Sequence, residues 1–463
     1  MAELYFLGAT KTVTGSKYVL SVDGTKVMLD CGLFQGLKEL RLRNWEALPT
    51  DITSLDAVIL THAHIDHTGY LPRLVRQGYQ GPVYASVGTT ELCKILLPDS
   101  GRLQEEDARF ANKMGFSKHH PALPLYTEKD AKAALRLFRS FQYEQQVALS
   151  PAFSFRFISA GHILGSSFIY ITLKEGERET TIVFSGDLGR YDVPILNDPT
   201  PVLVADYIVV ESTYGNRLHD PISAKQQLAE VVIRTAARGG RLVIPAFAVG
   251  RTQEILYYLR ELETEQRIPV LPVILDSPMA QSAMHHYLHN REDQDIEMRE
   301  LIDKHINPLT TKAFRIGGKR GVTALTKQSK PCIVISASGM ATGGRVLHHL
   351  KECLPDPRST VLFAGFQAQG TRGRRLLEGE PTIKIHGEII PVRAEIASIS
   401  NLSAHADYAE TLRWLSAFHQ APRRVFVTHG EPDAAQALKE KIETKFGWSV
   451  TVPDYRDRFP LFT

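Results

Sequence analysis

The sequence predicts an α/β protein of two or more domains, with one domain inserted into another. Three observations carry this. At 463 residues the chain is longer than one ordinary hydrophobic core accommodates. Short strands separated by turns fill its first third and return near its end, while strand–helix alternation, the mark of a parallel sheet flanked by helices, fills the middle. No low-complexity linker or internal repeat separates these parts, so the middle reads as an insertion.

The elements follow in order. A first strand begins near residue 3, and "YVLSVDGTKVMLD" places two apolar runs around Asp23-Gly24, a strong hairpin signal. "DAVILTH" reads as a buried strand, and "YLPRLVRQG" as a short helix ending at glycine. "FSFRFISAGHILGSSFIYITL" and "TTIVFSGDLG" form a second strand group. From about Tyr207, "YIVVEST", "RLVIPAF", "PVILDS", "PCIVISAS" and "STVLFAG" are short apolar strands, mostly followed by helical stretches such as "AKQQLAEVVIRTAARGG". Beyond Pro381 come "TIKIHGEIIPVRAEI", a helix, the strand "RVFVTHG", another helix and a final strand "SVTVP". The expected boundaries are 1–207, 208–381 and 382–463, with the outer pieces forming one domain.

Hydrophobic residues at 43% and charged residues at 23% are the balance of a soluble globular protein. The longest apolar runs, such as "LVIPAFAV", fall far short of the roughly 20 residues that cross a bilayer. No signal peptide is apparent, and four scattered cysteines (Cys31, Cys93, Cys332, Cys353) without a CxxC pair argue against a disulfide scaffold or zinc ribbon. A reducing, cytoplasmic setting is expected. A net charge of +3 says little about nucleic acid, although "RLRN", "GGKRG" and "RGRR" are local basic clusters, each of which alone reads as a solvated face.

The chemistry starts in "ILTHAHIDHTGYLPRL". His62, His64, Asp66 and His67 lie where a buried strand gives way to a loop, and strand alternation sends His62 and His64 to one side. Imidazole and carboxylate are the ligand set of zinc and similar divalent ions. Four ligands are too few for two ions. His162 in "SAGHILGSS", Asp187 in "VFSGDLGR" and His429 in "VFVTHGE" each lie at or just after a strand end beside glycine, and together they complete two coordination shells.

The motif HxHxDH followed by distal His, Asp and His resembles the metallo-β-lactamase superfamily. That resemblance implies an αββα sandwich with His62, His64, His162 and Asp187 on one metal and Asp66, His67, Asp187 and His429 on the other. Asp30, in "VMLDCG", matches the carboxylate that buttresses the site, a hydrogen bond to a ligating histidine fitting that role. "VVESTYGNR", "NLSAHADY" and "VTHGE" resemble motifs A, B and C of the β-CASP nucleases, giving Glu211, His405 and His429. The middle segment is then the inserted β-CASP domain, a mainly parallel sheet flanked by helices. Compact bacterial and archaeal ribonucleases, and the endonuclease of eukaryotic mRNA 3′-end cleavage, are the similar types. Histidine at motif C is typical of family members acting on RNA, whereas the DNA-repair branch typically carries valine.

The resemblance implies a zinc-dependent ribonuclease with two Zn²⁺ per chain, acting on single-stranded RNA in processing or decay. Cleavage would be endonucleolytic, with 5′→3′ exonucleolytic action a further mode, leaving 5′-phosphate and 3′-hydroxyl ends. Two divalent ions about 3.5–4 Å apart activate water near neutral pH and offset charge on the phosphoryl oxygens. His405 is the candidate acid for the leaving 3′-oxygen, with Glu211 favouring its imidazolium form. Asp66 and Asp30 complete the catalytic set. Three glycine-rich stretches, "FAVGRTQE", "SASGMATGGR" and "GFQAQGTRGRR", offer backbone N–H groups to phosphate, with Arg251, Ser338, Arg345 and Arg372 as RNA contacts.

Rival readings are a β-CASP DNA nuclease, a small-molecule metallo-hydrolase, and a non-enzymatic scaffold that has lost its site. His429 disfavours the first, and motifs A and B disfavour the second. The full ligand set disfavours the third. His285 and His289 have helical metal-pair spacing without a third ligand; His348, His349, His119 and His120 are expected at the surface or in packing. No RNA-binding extension is expected before the first strand or after the last, and homodimerisation is left open.

Overall fold

The computed structural model describes residues 2–115, 119–317, 331–365, 367 and 370–462, which divide into two compact units. Residues 318–321 of the "GGKRG" cluster, and residues 366, 368 and 369 of the third glycine-rich stretch, lie outside the described residues. The first unit comprises Met1–Val193, Asn197–Leu218 and His405–Thr463; the second comprises Pro194–Leu196 and His219–Ala404.

Two seven-stranded sheets build the first unit. One runs Arg458–Pro460, Glu3–Phe6, Tyr18–Val22, Thr25–Leu29, Ala57–Ile59, Val83–Ser86, Phe138–Phe141. The other runs Val450–Thr451, Arg424–Thr428, Tyr207–Glu211, Arg178–Phe184, Ser167–Glu175, Phe153–Ser159, Val147–Ser150. The hairpin signal at Asp23-Gly24 is met by strands paired Val22↔Thr25, both turn residues having positive φ (45° and 80°) as a tight two-residue turn requires. "SVTVP" is not the last strand: Arg458–Pro460 follows it and joins the N-terminal strand at Glu3↔Pro460.

Strand alternation explains the layering. Leu4, Phe6, Leu20, Leu29 and Ile59 from one sheet pack against Phe155, Phe157, Ile171, Phe184 and Val209 from the other, closing a core between the sheets. The intervening residues of the second sheet, Val183, Ile208, Val210, Val425 and Val427, face outward. They pack against Trp414 and Leu415 of helix Tyr408–Leu415 and against Leu438 and Ile442 of helix Pro432–Phe446. Each such side chain contributes about 1.5–3 kcal/mol on burial.

The second unit holds a six-stranded sheet in the order Phe314–Ile316, Val273–Asp276, Cys332–Ser336, Arg241–Pro245, Thr360–Ala364, Glu395–Ile399, every pairing parallel. Helix Ala224–Ala237 leads into this sheet, and helices such as Arg251–Thr264 and Val346–Cys353 connect its strands. Glu395–Ile399 pairs with Thr360–Ala364, so this sheet runs on past residue 381, the boundary expected from the change in rhythm. Among the described residues, no helix is long and apolar enough to cross a membrane.

Candidate metal centre

Strand Ala57–Ile59 runs into residues 60–64, and the short helix Ile65–Thr68 turns the chain back, so one segment delivers four donors. Strand Arg178–Phe184 ends just before Asp187, and strand Arg424–Thr428 ends just before His429. His162 lies in the turn between strands Phe153–Ser159 and Ser167–Glu175. All of these residues belong to the first unit.

Two sets of donors converge. His64 Nδ1 lies 3.1 Å from His62 Nε2 and 3.3 Å from His162 Nε2, and Asp187 Oδ2 lies 3.3 Å from His62 Nε2 and 3.5 Å from His162 Nε2. In the second set, His67 Nε2 is 3.1 Å from His429 Nε2, and His429 Nε2 is 3.6 Å from Asp66 Oδ2. Asp187 faces both sets, because its Oδ1 lies 3.1 Å from His67 Nε2. The residues His62, His64, His162 and Asp187, and separately Asp66, His67 and His429, have donor atoms all within 4.8 Å of one another.

The fit to divalent cations rests on more than proximity. Asp187 is 2% exposed, and its Oδ1, although close to His67 Nε2 and 3.4 Å from His429 Nδ1, has no hydrogen-bond partner of proper geometry. A buried, unpaired carboxylate oxygen is costly unless a cation takes it up. The donors are imidazole nitrogen and carboxylate oxygen, the set zinc accepts.

Electrostatics sort the histidines. Burial, with the neighbouring His67, lowers the pKa of His62; burial and the neighbouring His62 bring His64 down to about 3; burial and His405 hold His162 well below its usual value. These three are neutral, the form that ligates. Burial also disfavours charge on His67, but Asp187 and Asp30 outweigh it and hold that imidazole well above its usual value. Ligation of a cation through His67 Nε2 would have to displace the proton there. Burial pushes Asp66 and Asp187 up, yet nearby histidines, His429 foremost, bring both below the ordinary carboxylate range.

Asp30 is 1% exposed and accepts from His67 Nδ1 at 2.7 Å, from the Thr61 amide at 2.8 Å and from Ser16 Oγ at 3.0 Å. His405 Nδ1 lies 3.1 and 3.2 Å from the two oxygens of Glu211 and 3.9 Å from Asp187 Oδ2. Burial alone would lower the pKa of His405; Glu211 and then Asp187 overcome it and raise it to about 9. Glu211 is itself 2% exposed and accepts from the Leu188 amide at 2.6 Å. The His405 side chain keeps 22% exposure, enough to meet a substrate.

The sequence did not reveal Ser16 or Thr61 as part of this network. A threonine beside a ligand motif has no signature of its own. Nor did it reveal that Asp30 and His429 adopt left-handed backbone, with φ of 54° and 49°. Such strain costs on the order of 1–3 kcal/mol, and the His429 amide offsets part of it by donating to Ala9 O at 2.6 Å.

In the second unit, Arg251 pairs with Glu254, and Arg345 Nη1 with Asp276 at 2.7 Å. Arg372 donates to the carbonyl oxygens of Lys384 and Thr342 at 2.9 and 2.8 Å, and Ser338 Oγ meets Thr342 Oγ1 at 3.0 Å. His349 is 5% exposed and bonds Asp276 at 2.9 Å, a packing role, while His348 is exposed. The rings of His285 and His289 lie 4.1 Å apart between centroids, tilted by 35°, without a third donor among the described residues.

Three family models match the chain: a metallo-beta-lactamase superfamily domain over residues 19–188, a Beta-Casp domain over 252–376, and a Zn-dependent metallo-hydrolase RNA specificity domain over 389–453. Ribonuclease TTHA0252 of Thermus thermophilus is 36% identical over 458 residues, covering 98% of this chain and 99% of that protein. Transcription termination factor FttA of Methanocaldococcus jannaschii is 31% identical, covering 97% and 70%, and its Methanosarcina mazei counterpart is 33% identical, covering 95% and 69%. A crystal structure of a protein of unknown function from Enterococcus faecalis shares the fold, with a TM-score of 0.56 at 14% identity over 99% of this chain and 100% of that one. With its donor sets, its His405–Glu211 pair and a named ribonuclease matching it end to end, the chain belongs to the β-CASP family of the metallo-β-lactamase superfamily and is a metal-dependent nuclease.

Proposed function

We propose that the chain is a ribonuclease that holds two zinc ions and hydrolyses single-stranded RNA to 5′-phosphate and 3′-hydroxyl ends, in RNA processing or decay. The observation that carries this is the His405–Glu211 pair lying against Asp187, the carboxylate facing both donor sets. His62, His64, His162 and Asp187 would hold one ion, and Asp66, His67, Asp187 and His429 the other. When bound, the ions supply Lewis acidity to water and to the phosphoryl oxygens.

The chain's own residues do the rest. Asp30 orients the His67 ring by accepting a hydrogen bond from its Nδ1–H. Glu211 accepts a hydrogen bond from Nδ1–H of His405, so Nε2 is the atom that hands a proton to the leaving 3′-oxygen. A pKa near 9 keeps that proton in place at neutral pH. Histidine at position 429, with relatives named a ribonuclease and a termination factor, supports RNA over DNA as substrate. Arg251, Ser338, Arg345 and Arg372 are assigned to the RNA backbone; reversing the charge of Arg345 and Arg372 should weaken RNA binding and flatten its salt dependence.

The test is digestion of 5′-labelled and internally labelled RNA by the purified protein, with and without chelator, followed by zinc titration. Internal cuts place the enzyme as an endonuclease, and release of 5′ mononucleotides adds the 5′→3′ mode. RNA left intact at saturating zinc refutes the reading.

A further inference from the structure

Two carboxylates beside the metal centre each lie within reach of two imidazoles, one directly and one through a threonine. Asp30 meets His67 Nδ1 directly. Thr61 Oγ1 lies 3.0 Å from each oxygen of Asp30 and 3.0 Å from His62 Nδ1. On the other side, Glu211 meets His405 Nδ1 directly. Thr213 Oγ1 is in close contact with Glu211 Oε2 and lies 3.2 Å from His429 Nδ1.

The direction of each proton follows from what the groups can do. A hydroxyl carries one proton, and an ionised carboxylate can only accept. The Thr61 proton therefore goes to Asp30, and His62 Nδ1 must be the donor to Thr61. The Thr213 proton goes to Glu211, its nearest acceptor; the alternative, His429 O, is 3.2 Å away. His429 Nδ1 is then the donor to Thr213. In both rings this leaves the lone pair on Nε2, the atom that faces His64 in the case of His62, and His67 and Asp66 in the case of His429.

We propose that Thr61 and Thr213 are positioning residues, relaying Asp30 to His62 and Glu211 to His429 and thereby fixing both rings in the tautomer that binds a cation through Nε2. This rests on the two-ion reading above. It adds that Asp30 joins the two donor sets, since His67 and His62 belong to different ones, and that Glu211 joins the acid His405 to a metal ligand. Orienting partners of ligating histidines typically govern metal affinity by about 10–100-fold.

The test is zinc affinity of the full chain, by competition with a chromophoric chelator, for Thr61→Val, Thr61→Ser, Thr213→Val and Thr213→Ser. Valine keeps the shape and removes the hydroxyl; serine keeps the hydroxyl. Each valine variant should weaken one of the two zinc-binding steps by at least about tenfold, leaving the other within about threefold, and each serine variant should restore it. Val and Ser variants that unfold alike in chelator show that the loss is not one of folding. Unchanged zinc affinity in either valine variant, or a serine variant as weak as its valine counterpart, overturns the assignment. Zinc affinity involves no RNA, so this failure is distinct from failure of the ribonuclease reading, which wild-type protein and labelled RNA decide. A wild type that takes up no zinc overturns the metal centre and this assignment with it.

Discussion

Lys17 is 1% exposed, and its ammonium sits 4.4 Å from the Phe34 ring centroid and 5.0 Å from that of Tyr70, with Gly15 O at 3.3 Å. Burial lowers its pKa from 10.5 to about 8, against a small opposing effect of Cys31. A difference of about 2.5 units corresponds to about 3 kcal/mol against the charged form. The ring faces return about 1–2 kcal/mol of that, so Lys17→Met should stabilise the protein by about 1–2 kcal/mol at pH 7. The sign with pH follows from proton counting. Between pH 8 and 10.5 the unfolded chain binds more protons at this position than the folded one, so wild-type stability rises with pH there and the variant's advantage shrinks towards zero. Burial raises the Cys31 thiol to about 12 against the opposing pull of Lys17; this group acts the opposite way with pH and more strongly once Lys17 is gone, so it too erodes the variant's advantage as pH rises. All three tryptophans, Trp45, Trp414 and Trp448, lie in the same unit as Lys17, so their fluorescence during urea unfolding at pH 7 and pH 10 reads the effect. A variant less stable than wild type at pH 7, or a difference that does not move with pH, refutes the reasoning.

Four further outcomes are expected. His405→Ala should keep its zinc, measured by elemental analysis, while RNA turnover falls by at least about 100-fold. Glu211→Gln removes the principal charge that raises His405, so its pKa falls from about 9. The proton is lost at lower pH, and the alkaline limb of the pH–rate profile moves acidward by about one unit or more. Gly32→Ala puts a Cβ 1.5 Å from the carbonyl oxygen of Asp66 and should cost about 3 kcal/mol in urea unfolding together with weaker zinc binding. Gly24→Ala, in open space but at φ 80°, should cost about 1 kcal/mol and leave zinc binding alone.

What could be read beforehand was what is local or periodic. The hairpin at Asp23-Gly24 shows because a two-residue turn dictates its own residues. The seven candidate donors show because each occupies a strand end or turn and because HxHxDH is dense. The parallel strands of the second unit show because a buried strand is a short apolar run. Long-range choices were not legible. The strand Arg458–Pro460, with exposed ends and only three residues, has no periodicity; its pairing with Glu3–Phe6 is decided by the free edge available to it. The extension of the second sheet to Glu395–Ile399 was hidden for a similar reason, since this strand is half-buried and follows a hairpin that reads as more of the same. Hydroxyls such as Thr61, Thr213 and Ser16 gain their roles only from what the fold puts beside them.

Strand register is the quantity that assembles the centre. Strand Arg178–Phe184 pairs in parallel with Tyr207–Glu211 at Phe184↔Val209, and Tyr207–Glu211 pairs in parallel with Arg424–Thr428 at Glu211↔Thr428. Asp187, Glu211 and His429 thus emerge at the same end of three neighbouring strands, each about 4.8 Å from the next, the end at which open α/β sheets carry their ligands. A slip of one residue would turn Glu211 from the inner to the outer face and break its contact with His405. What prevents the slip is the alternation that builds the layers: Val209 and Phe426 must face the core between the sheets while Val210 and Val427 face the helices. The chain leaves this unit after Leu218 and re-enters it at His405. The candidate acid and the last donor, His429, therefore arrive only with the returning segment, and the second donor set cannot be complete before strand Arg424–Thr428 docks. The apolar pattern of those five residues consequently determines the geometry of the metal centre as directly as the ligands themselves do.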